Sequence, residues 1–492
     1  MPQLCLTLAE ARLNELISKI QRYDGVCPLI EVRIDFMARP DIPTLPTHRR
    51  SRYIATCRPI REGGCFRGDE ADRLGLLMRA ARSGFDWIDL EHDATLIPLP
   101  SPVRLIRSYH DFAGMPANWS ELIGRLDALP GDVTKIAVTV ENTEQAIEIL
   151  RQFEKPGARR RILIGMGPFG QVSRLLGHFL GNEWTYVSEK SERAAAPGHF
   201  SLAEAVSSFR LDFPGAVSTF YGVLGNPLAH SLSPGLHNRL FSQYSLNNVY
   251  LPLRLSAVDP WFDYVAASPL KFGGFSVTLP FKTDVVKFVH NQEDSGDALN
   301  TLIRDRSGWR GLNTDYAGFI KPLAEFDLRG CTALVIGAGG VAHTVIRALQ
   351  DRGVRVTVVA RNAFKAANVA ERYGCGKATF DDLPIKADLC VNCTPVGQHP
   401  QTDVSPLARD ELTFEIVYDL IYQPVQTKLL SMAAEQGLKT ISGMEMFVEQ
   451  AALQFKAWTG IDPDRKLVRE IVESLFFDEA EHMRRQSEGN TI

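Results

Sequence analysis

The sequence predicts an α/β protein built in two successive parts, on three observations. The first two hundred residues alternate short apolar runs with amphipathic helical stretches. That pattern lapses at Phe209–Ser218 and a new one starts. A strand ending at Ile336 then runs straight into a glycine turn and a helix.

The first part supplies eight candidate strands: Gln3–Thr7, Leu29–Ile34, Tyr53–Cys57, Trp87–Leu90, Arg104–Ser108, Val133–Val138, Arg161–Ile164 and Trp184–Val187. Helical patterns separate most of them, at Ala9–Arg22, Asp69–Ser83, Asn118–Leu129 and Thr143–Phe153. Eight strands alternating with helices is the pattern of a closed (β/α)8 barrel, the TIM fold. Beyond the lapse come a strand (Phe220–Leu224), a helix (Pro234–Tyr244) and strands Val249–Leu253 and Gly274–Thr278. The expected division is a barrel over 1–213, a small α/β domain over 217–317, a nucleotide-binding domain over 318–440, helices over 441–482 and an unstructured polar tail over 483–492.

Composition narrows the function. The 492 residues are 45% hydrophobic and 23% charged, with a formal net charge of -4, the balance of a globular protein with real cores. Nothing in that charge calls for nucleic acid or an acidic membrane, so small-molecule substrates are the expected partners. No apolar run reaches membrane-spanning length, and strand-like sequence begins at once with no leader pattern. Eight scattered cysteines, mostly in apolar runs, suit reduced thiols in a cytoplasmic protein; a plastid is compatible if a leader was removed. Cys390 and Cys393 form a Cys-x-x-Cys without a second pair. They fall on a strand period, so core is expected there and no metal.

The strand Ala333–Ile336 leads into Gly337-Ala338-Gly339-Gly340-Val341-Ala342, and the following helix places Ala342, Val345, Ile346 and Leu349 on one face. This is the phosphate-binding start of a Rossmann unit, in which glycines let backbone N–H groups reach a pyrophosphate at the helix N-terminus. The next strand, Val354–Val359, ends at Ala360-Arg361-Asn362 with Lys365 one turn on. The acid that would hold a ribose 2′-hydroxyl is missing, and cations stand where a 2′-phosphate would lie, which predicts NADP over NAD.

In a barrel of this kind chemistry sits at the C-terminal strand ends. Those ends carry Glu31 and Arg33, Arg58 with Glu62, Asp89 and Glu91, His110 with Asp111, and Lys135, and Arg174 follows in a later loop. Charges at successive strand ends are costly as core and useful as a site. Lys135 interrupts the buried strand Val133–Val138. Burial would disfavour its ammonium and let the amine attack a ketone as a Schiff-base nucleophile. His110, oriented by Glu62, would then move protons at the adjacent carbon. The residues by themselves leave open a structural ion pair at Lys135 instead.

Two families resemble the chain. Glu31-Val32-Arg33-Ile34-Asp35, Arg58-Pro59-Ile60-Arg61-Glu62-Gly63-Gly64, Tyr109-His110-Asp111-Phe112, Lys135-Ile136-Ala137 and Gly165-Met166-Gly167 with Ser173-Arg174 resemble type I 3-dehydroquinate dehydratase. That resemblance implies that Lys135 forms the imine, that His110 removes the neighbouring proton, and that Glu31, Arg33, Arg58 and Arg174 bind the substrate. The family usually ends its lid loop Ser-Ala-Pro-Gly-Gln; this chain reads Ala195-Ala196-Pro197-Gly198-His199. His199 is therefore expected to stand in for an amide that touches substrate, in a slower dehydratase.

The second part resembles shikimate dehydrogenase in Asn226–Pro234 with His237-Asn238, Ser276–Lys282, Asn300-Thr301, Gly311–Asp315, Asn392–Gly397, Asp419–Tyr422 and Gly443–Gln450. The resemblance implies a catalytic Lys282–Asp315 pair. Ser231, Ser233, Thr278, Asn300, Tyr422 and Gln450 match substrate-binding positions, and Thr394 and Gly443 match cofactor-binding ones. Relatives acting on quinate tend to have small residues at Ser233 and Thr278, so shikimate is favoured. Gly296-Asp297-Ala298 replaces the usual apolar-Gly-Ala run ahead of Asn300.

The expected enzyme is bifunctional: 3-dehydroquinate to 3-dehydroshikimate in the barrel, then NADPH-dependent reduction to shikimate. Two alternatives are an active dehydrogenase (for shikimate or quinate) with an impaired barrel, and a non-catalytic regulator. The regulator predicts gaps at Lys135, His110, Lys282 or Asp315, and all four are present.

Overall fold

The computed structural model describes residues 3–155, 160–189, 198–228, 231–292 and 298–488. The chain forms two compact units, Met1–Phe272 and Gly273–Ile492. No described helix is long and apolar enough to cross a membrane.

The first unit holds eight strands: β1 (Gln3–Leu8), β2 (Leu29–Arg33), β3 (Arg52–Thr56), β4 (Trp87–Glu91), β5 (Arg104–Asp111), β6 (Val133–Thr139), β7 (Arg160–Met166) and β8 (Trp184–Ser188). All eight candidate strands are found, with ends shifted by up to three residues. They pair in parallel in the order β7-β6-β5-β4-β3-β2-β1-β8. Helices α1 (Leu13–Tyr23), α2 (Glu70–Arg82), α3 (Trp119–Asp127), α4 (Thr143–Arg151) and α5 (Gln171–Leu180) cover the outside. Side chains alternate across a strand, and the interior follows that period in layers. One residue from each strand (Cys5, Leu29, Ile54, Trp87, Ile106, Val133, Ile162 and Trp184) forms an apolar floor. Two residues further along, Thr7, Glu31, Thr56, Asp89, Ser108 and Lys135 share one hydrogen-bonded network.

The barrel closes between β7 and β8 through a side chain. Among described residues the backbone seam is a single bridge, Arg161↔Asn182, where Glu183 N donates to Arg161 O at 3.0 Å. Asn182 supplies the rest: its Oδ1 accepts from Leu163 N at 2.8 Å, and its Nδ2 donates to Leu163 O at 3.4 Å. A Cβ on Gly177 of α5 would lie 2.7 Å from that Nδ2, so glycine is needed for the amide to reach the strand.

The unit continues past 209–218 into a parallel pair, β9 (Thr219–Gly225) and β10 (Asn248–Arg254), with α6 (Ser233–Gln243) and α7 (Asp259–Ala267). The strand pattern restarts there as expected, but packing does not stop. Thr143 and Ser256 exchange backbone-to-hydroxyl bonds of 2.9 and 2.8 Å, and Phe179 meets Phe220 edge-on at 5.0 Å.

In the second unit β11 (Phe272–Val277) runs antiparallel to β13 (Thr301–Asp305), β13 antiparallel to β14 (Gly308–Leu312), and β12 (Val289–Gln292) parallel to β14. After α8 (Thr314–Ile320) comes a six-stranded parallel sheet in the order β17-β16-β15-β18-β19-β20. Its strands are β15 (Thr332–Ile336), β16 (Arg355–Val359), β17 (Gly376–Ala378), β18 (Leu389–Asn392), β19 (Ile416–Asp419) and β20 (Lys439–Ser442). Helices α9 (Gly340–Gln350), α10 (Ala363–Tyr373) and α11 (Lys428–Glu435) connect them, and α12 (Gly443–Thr459) and α13 (Arg465–Glu488) follow. The strand order turns between β15 and β18, the switch point at which such sheets bind ligands. On α12, Gln454 accepts from Ser276 Oγ and donates to Thr301 Oγ1, so this helix braces β11 and β13. Helix α13 corrects one expectation, because it runs through 483–488 where a tail was foreseen. The stretch Glu479–Gln486 is polar but rich in strong helix formers, and polarity alone does not end a helix.

The amide seam is testable by denaturation. Asn182→Leu would strip partners from the buried Leu163 N–H and C=O, at about 1–3 kcal/mol for each group left unsatisfied. A change within about 0.5 kcal/mol would show that the seam does not depend on this side chain.

Candidate active site

The eight site residues proposed for the barrel, Glu31, Arg33, Arg58, Glu62, His110, Lys135, Arg174 and His199, all line one pocket, joined by Phe112, Met166 and Tyr186. The strand period explains most of this, since Glu31 and Lys135 stand two residues beyond the apolar floor and Arg33 two beyond Glu31. The Arg58–Gly64 loop folds back because of its glycines. Gly63 sits at φ +72° against the Phe112 ring, and a Cβ on Gly64 would lie 2.0 Å from Arg58 O.

Lys135 Nζ lies 2.9 Å from Asp89 Oδ2 and 3.5 Å from Glu31 Oε1, and 4.2 Å from the Tyr186 ring centroid. The ion pair that the residues left open therefore exists, and it places carboxylates against the amine. Burial would raise the Asp89 carboxyl, but Arg58 and Lys135 overcome that and hold it well below its ordinary value. Glu31 is lowered in the same way by Lys135 and Arg33 against burial, and it accepts from the Thr7 and Thr56 hydroxyls at 2.8 and 2.9 Å.

His110 Nδ1 is 3.1 Å from Glu62 Oε2. Burial, then the Arg58 charge, pushes the imidazole down to about 4 despite Glu62, so it is neutral near pH 7. Glu62 falls to about 2, because bonds from His110 and His92 outweigh its burial. Arg33 is forked onto Asp35 at 2.9 and 2.8 Å. Arg174 donates to Gly165 O at 3.0 Å, and burial lowers its guanidinium to about 9. Arg58, expected as a substrate ligand, commits both terminal nitrogens to Asp89, Glu91 and Ser108 at 2.7–2.8 Å. His199 Nδ1 is buried without a hydrogen-bond partner; burial, then the Arg174 charge, holds the ring well below its ordinary value. Ala195, Ala196 and Pro197 lie outside the described residues.

In the sequence Asp89 stands out only as a strand-end acid, and Tyr186 does not stand out. Both belong to the Lys135 cluster, and both stand two residues beyond a floor tryptophan, the signal that could have found them. Among described residues one grouping has the ligand types for a metal, Glu62, His92 and Asp93. Arg61 holds Asp93 through two bonds and His110 holds Glu62, so those oxygens are already engaged.

In the second unit Lys282 Nζ donates to Asp315 Oδ2 at 2.5 Å. Lys282 follows the turn after β11, and Asp315 opens α8. Asn300 and its neighbour Leu299 tie the two together. Asn300 Oδ1 accepts from Thr314 N and Thr301 Oγ1 at 2.8 Å, its O accepts from Val277 N at 2.8 Å, and Leu299 N reaches Lys282 O at 2.8 Å. Gly296 and Asp297 lie outside the described residues. Thr278 is half-buried at the end of β11, and Gln450 is buried on α12 where Gly318 of α8 comes close. Tyr422 stacks on Phe447 at 4.9 Å. Ser231 and Ser233 lie in the first unit, before and at the start of α6.

The glycine turn fits a dinucleotide. Gly337 has φ +114°, and a Cβ there would sit 3.1 Å from Cys393 O and from Thr394 Cγ2, whereas Gly339 faces open space. Ala338 and Val341 are half-buried against the core. The methyl of Ala342 is fully buried and its N–H donates to Gly339 O at 3.0 Å, so it supports the turn from behind. Asn362 caps α10 by accepting from Lys365 N at 3.0 Å, with Arg361 and Lys365 exposed beside it. Thr394 Oγ1 donates to Asn392 at 2.7 Å, and Gly443 packs so closely on Leu420 O that a Cβ would lie 2.3 Å away.

Known proteins match both halves. The type I 3-dehydroquinase family matches residues 4–215. The shikimate dehydrogenase substrate binding domain matches 223–302, shikimate / quinate 5-dehydrogenase 321–396, and the shikimate 5'-dehydrogenase C-terminal domain 443–473. The bifunctional 3-dehydroquinate dehydratase/shikimate dehydrogenase of Arabidopsis thaliana is 29% identical over 485 residues, covering 90% of this chain and 79% of that protein. The shikimate dehydrogenase (NADP(+)) of Carboxydothermus hydrogenoformans is 35% identical over 266 residues, covering 51% of this chain and 95% of the relative. A solved structure of dehydroquinate dehydratase and shikimate dehydrogenase from S. pombe AroM is 26% identical with a TM-score of 0.44, covering 96% of this chain and 98% of that one. With matches to both families in one continuous chain, it belongs to the bifunctional family that joins a type I 3-dehydroquinase to a shikimate dehydrogenase.

Proposed function

We propose that this chain dehydrates 3-dehydroquinate in its barrel and reduces the resulting 3-dehydroshikimate with NADPH in its second part. The observation that carries the reading is Lys135, buried at a strand end against Asp89, in a pocket that also holds a neutral histidine and three arginines. We assign the dehydratase to 1–213, substrate binding for the reductase to 217–317, cofactor binding to 318–440 and the bracing helices to 441–482. All eight cysteines are free, which supports a reducing compartment such as the cytoplasm.

Lys135, held in place by the Asp89 carboxylate, gives up a proton to water, and the free amine adds to the substrate ketone. Loss of water gives an imine whose positive charge acidifies the neighbouring C–H. Neutral His110, oriented by Glu62, removes that proton and returns it to the departing hydroxyl, which leaves as water. A second water hydrolyses the imine, restores Lys135 and replaces the water lost when it formed. A substrate carboxylate would restore the charge on Arg174 that burial disfavours, with Arg33 and His199 alongside. Arg58 acts here by holding Asp89.

For the reduction, the residues of the second part fit a dinucleotide at the Gly337–Gly340 turn, with Arg361 and Lys365 suited to a 2′-phosphate. Bound NADPH would supply the hydride. Lys282 gives a proton to the carbonyl oxygen and takes it back in the reverse direction, while Asp315 holds the ammonium. Ser231, Ser233, Thr278, Asn300, Tyr422 and Gln450 are assigned to the ring hydroxyls and carboxylate, and Leu299, next to Asn300, holds Lys282 by its main chain.

Two measurements test these assignments. Protein mixed with 3-dehydroquinate and NADPH is expected to consume NADPH. Lys135→Ala abolishes this while leaving turnover of 3-dehydroshikimate intact, and Lys282→Met lowers the latter by roughly 10²–10⁴-fold. Brisk use of 3-dehydroshikimate but none of 3-dehydroquinate would remove the dehydratase, and no use of either would remove both. Because His110 protonates only near 4, dehydratase kcat/KM should stay level from pH 8 down through pH 5 and fall below that. A half-point near the ordinary histidine value of about 6.5 would show that His110 is not the base.

A further inference from the structure

We propose that Arg73 and Glu91, which do not line the pocket, are a positioning pair that keeps Asp89 available to Lys135. The inference rests on the dehydratase reading above. Arg73 lies on α2, outside the barrel, yet it is fully buried. Its Nη1 donates to Cys57 O at 2.9 Å and lies 2.5 Å from Glu91 Oε2. Glu91 Oε1 takes Arg58 Nη1 at 2.8 Å, Arg58 Nη2 takes Asp89 Oδ2 at 2.8 Å, and that same oxygen takes Lys135 Nζ at 2.9 Å. Charges alternate at every step from the outer helix to the amine.

A buried ion pair is a poor device for stability alone, because well-packed apolar residues do as well or better. What Arg73 supplies is the charge state of its neighbour. Burial raises the Glu91 carboxyl, Asp89 raises it further, and Arg58 and Arg73 oppose them. Arg107 on β5 and Arg61 add weaker positive fields, and the Cys57 thiol also faces it. Without Arg73, Glu91 takes up a proton more readily as the pH falls. A neutral Glu91 holds Arg58 Nη1 only through a carbonyl oxygen and without the charge, and the guanidinium shifts toward Asp89, competing for the oxygen that Lys135 uses.

The test uses the full chain, with turnover of 3-dehydroshikimate as the control for folding. Arg73→Met is expected to lower dehydratase kcat at pH 7 by roughly tenfold or more, of the order seen when a supporting contact is misplaced, with KM little changed. The acid limb of kcat should move up by about one pH unit or more. Glu91→Gln mimics the protonated acid at every pH, so it should lower kcat without that new limb. Adding Arg73→Met to Glu91→Gln should cost nothing further, since Arg73 acts only through Glu91. Arg73→Lys should restore most of the rate.

An unshifted pH profile for Arg73→Met, or losses that multiply in the double variant, would overturn the proposal and leave Arg73 as a staple between helix and barrel. Should Arg73→Met lose 3-dehydroshikimate turnover as well, Arg73→Lys and the doubly neutral Arg73→Met/Glu91→Gln decide by the same criteria. A parent chain inert toward 3-dehydroquinate would instead refute the dehydratase reading itself.

Discussion

Lys135 is the point around which the first half is arranged, because its charge is taken out of water at the centre of a barrel. Burying an ion costs several kcal/mol unless its partners are close and themselves satisfied. The barrel meets that constraint by continuation. Asp89 answers Lys135, Arg58 answers Asp89, Glu91 answers Arg58, and Arg73 answers Glu91 from the helix layer. The run ends at Glu70, a partly exposed acid on the same helix as Arg73. The network thus carries the demand for compensation from the reacting amine out to water.

The same arrangement separates two tasks within one polar layer. The carboxyls of Asp89 and Glu31 are held charged by the cations around them, while His110, ringed by Arg58 and Lys135, is held neutral. A nucleophile beside a carboxylate and a base that is uncharged at neutral pH are what imine formation followed by proton removal requires. Glu62 contributes orientation more than charge, since its effect on His110 is smaller than that of burial.

The reductase pair is built differently. Lys282 and Asp315 are only partly buried, and their closeness is set by backbone. The end of β11, the start of β13 and the first turn of α8 converge on Asn300, whose side chain and main chain serve all three, while its neighbour Leu299 holds Lys282 O. A single amide there does the work that a chain of ion pairs does in the barrel. The partial exposure suits a site that must open to admit a dinucleotide.

The architecture was largely readable from the chain. Strands buried on both faces read as apolar runs, and the polar residues that break those runs, Glu31, Asp89 and Lys135, mark the reacting layer because the strand period is two. The glycine turn was readable too, since only glycine meets the geometry at Gly337. Sequence position says nothing about which charges touch across the barrel, so the bonds that tie Arg58 to Asp89 and Arg73 to Glu91 were not legible. Nor could it show Asn182 closing the seam or Asn300 joining strands to a helix. Those are contacts between residues distant in the sequence, decided when strands and helices pack and each buried polar group must find a partner.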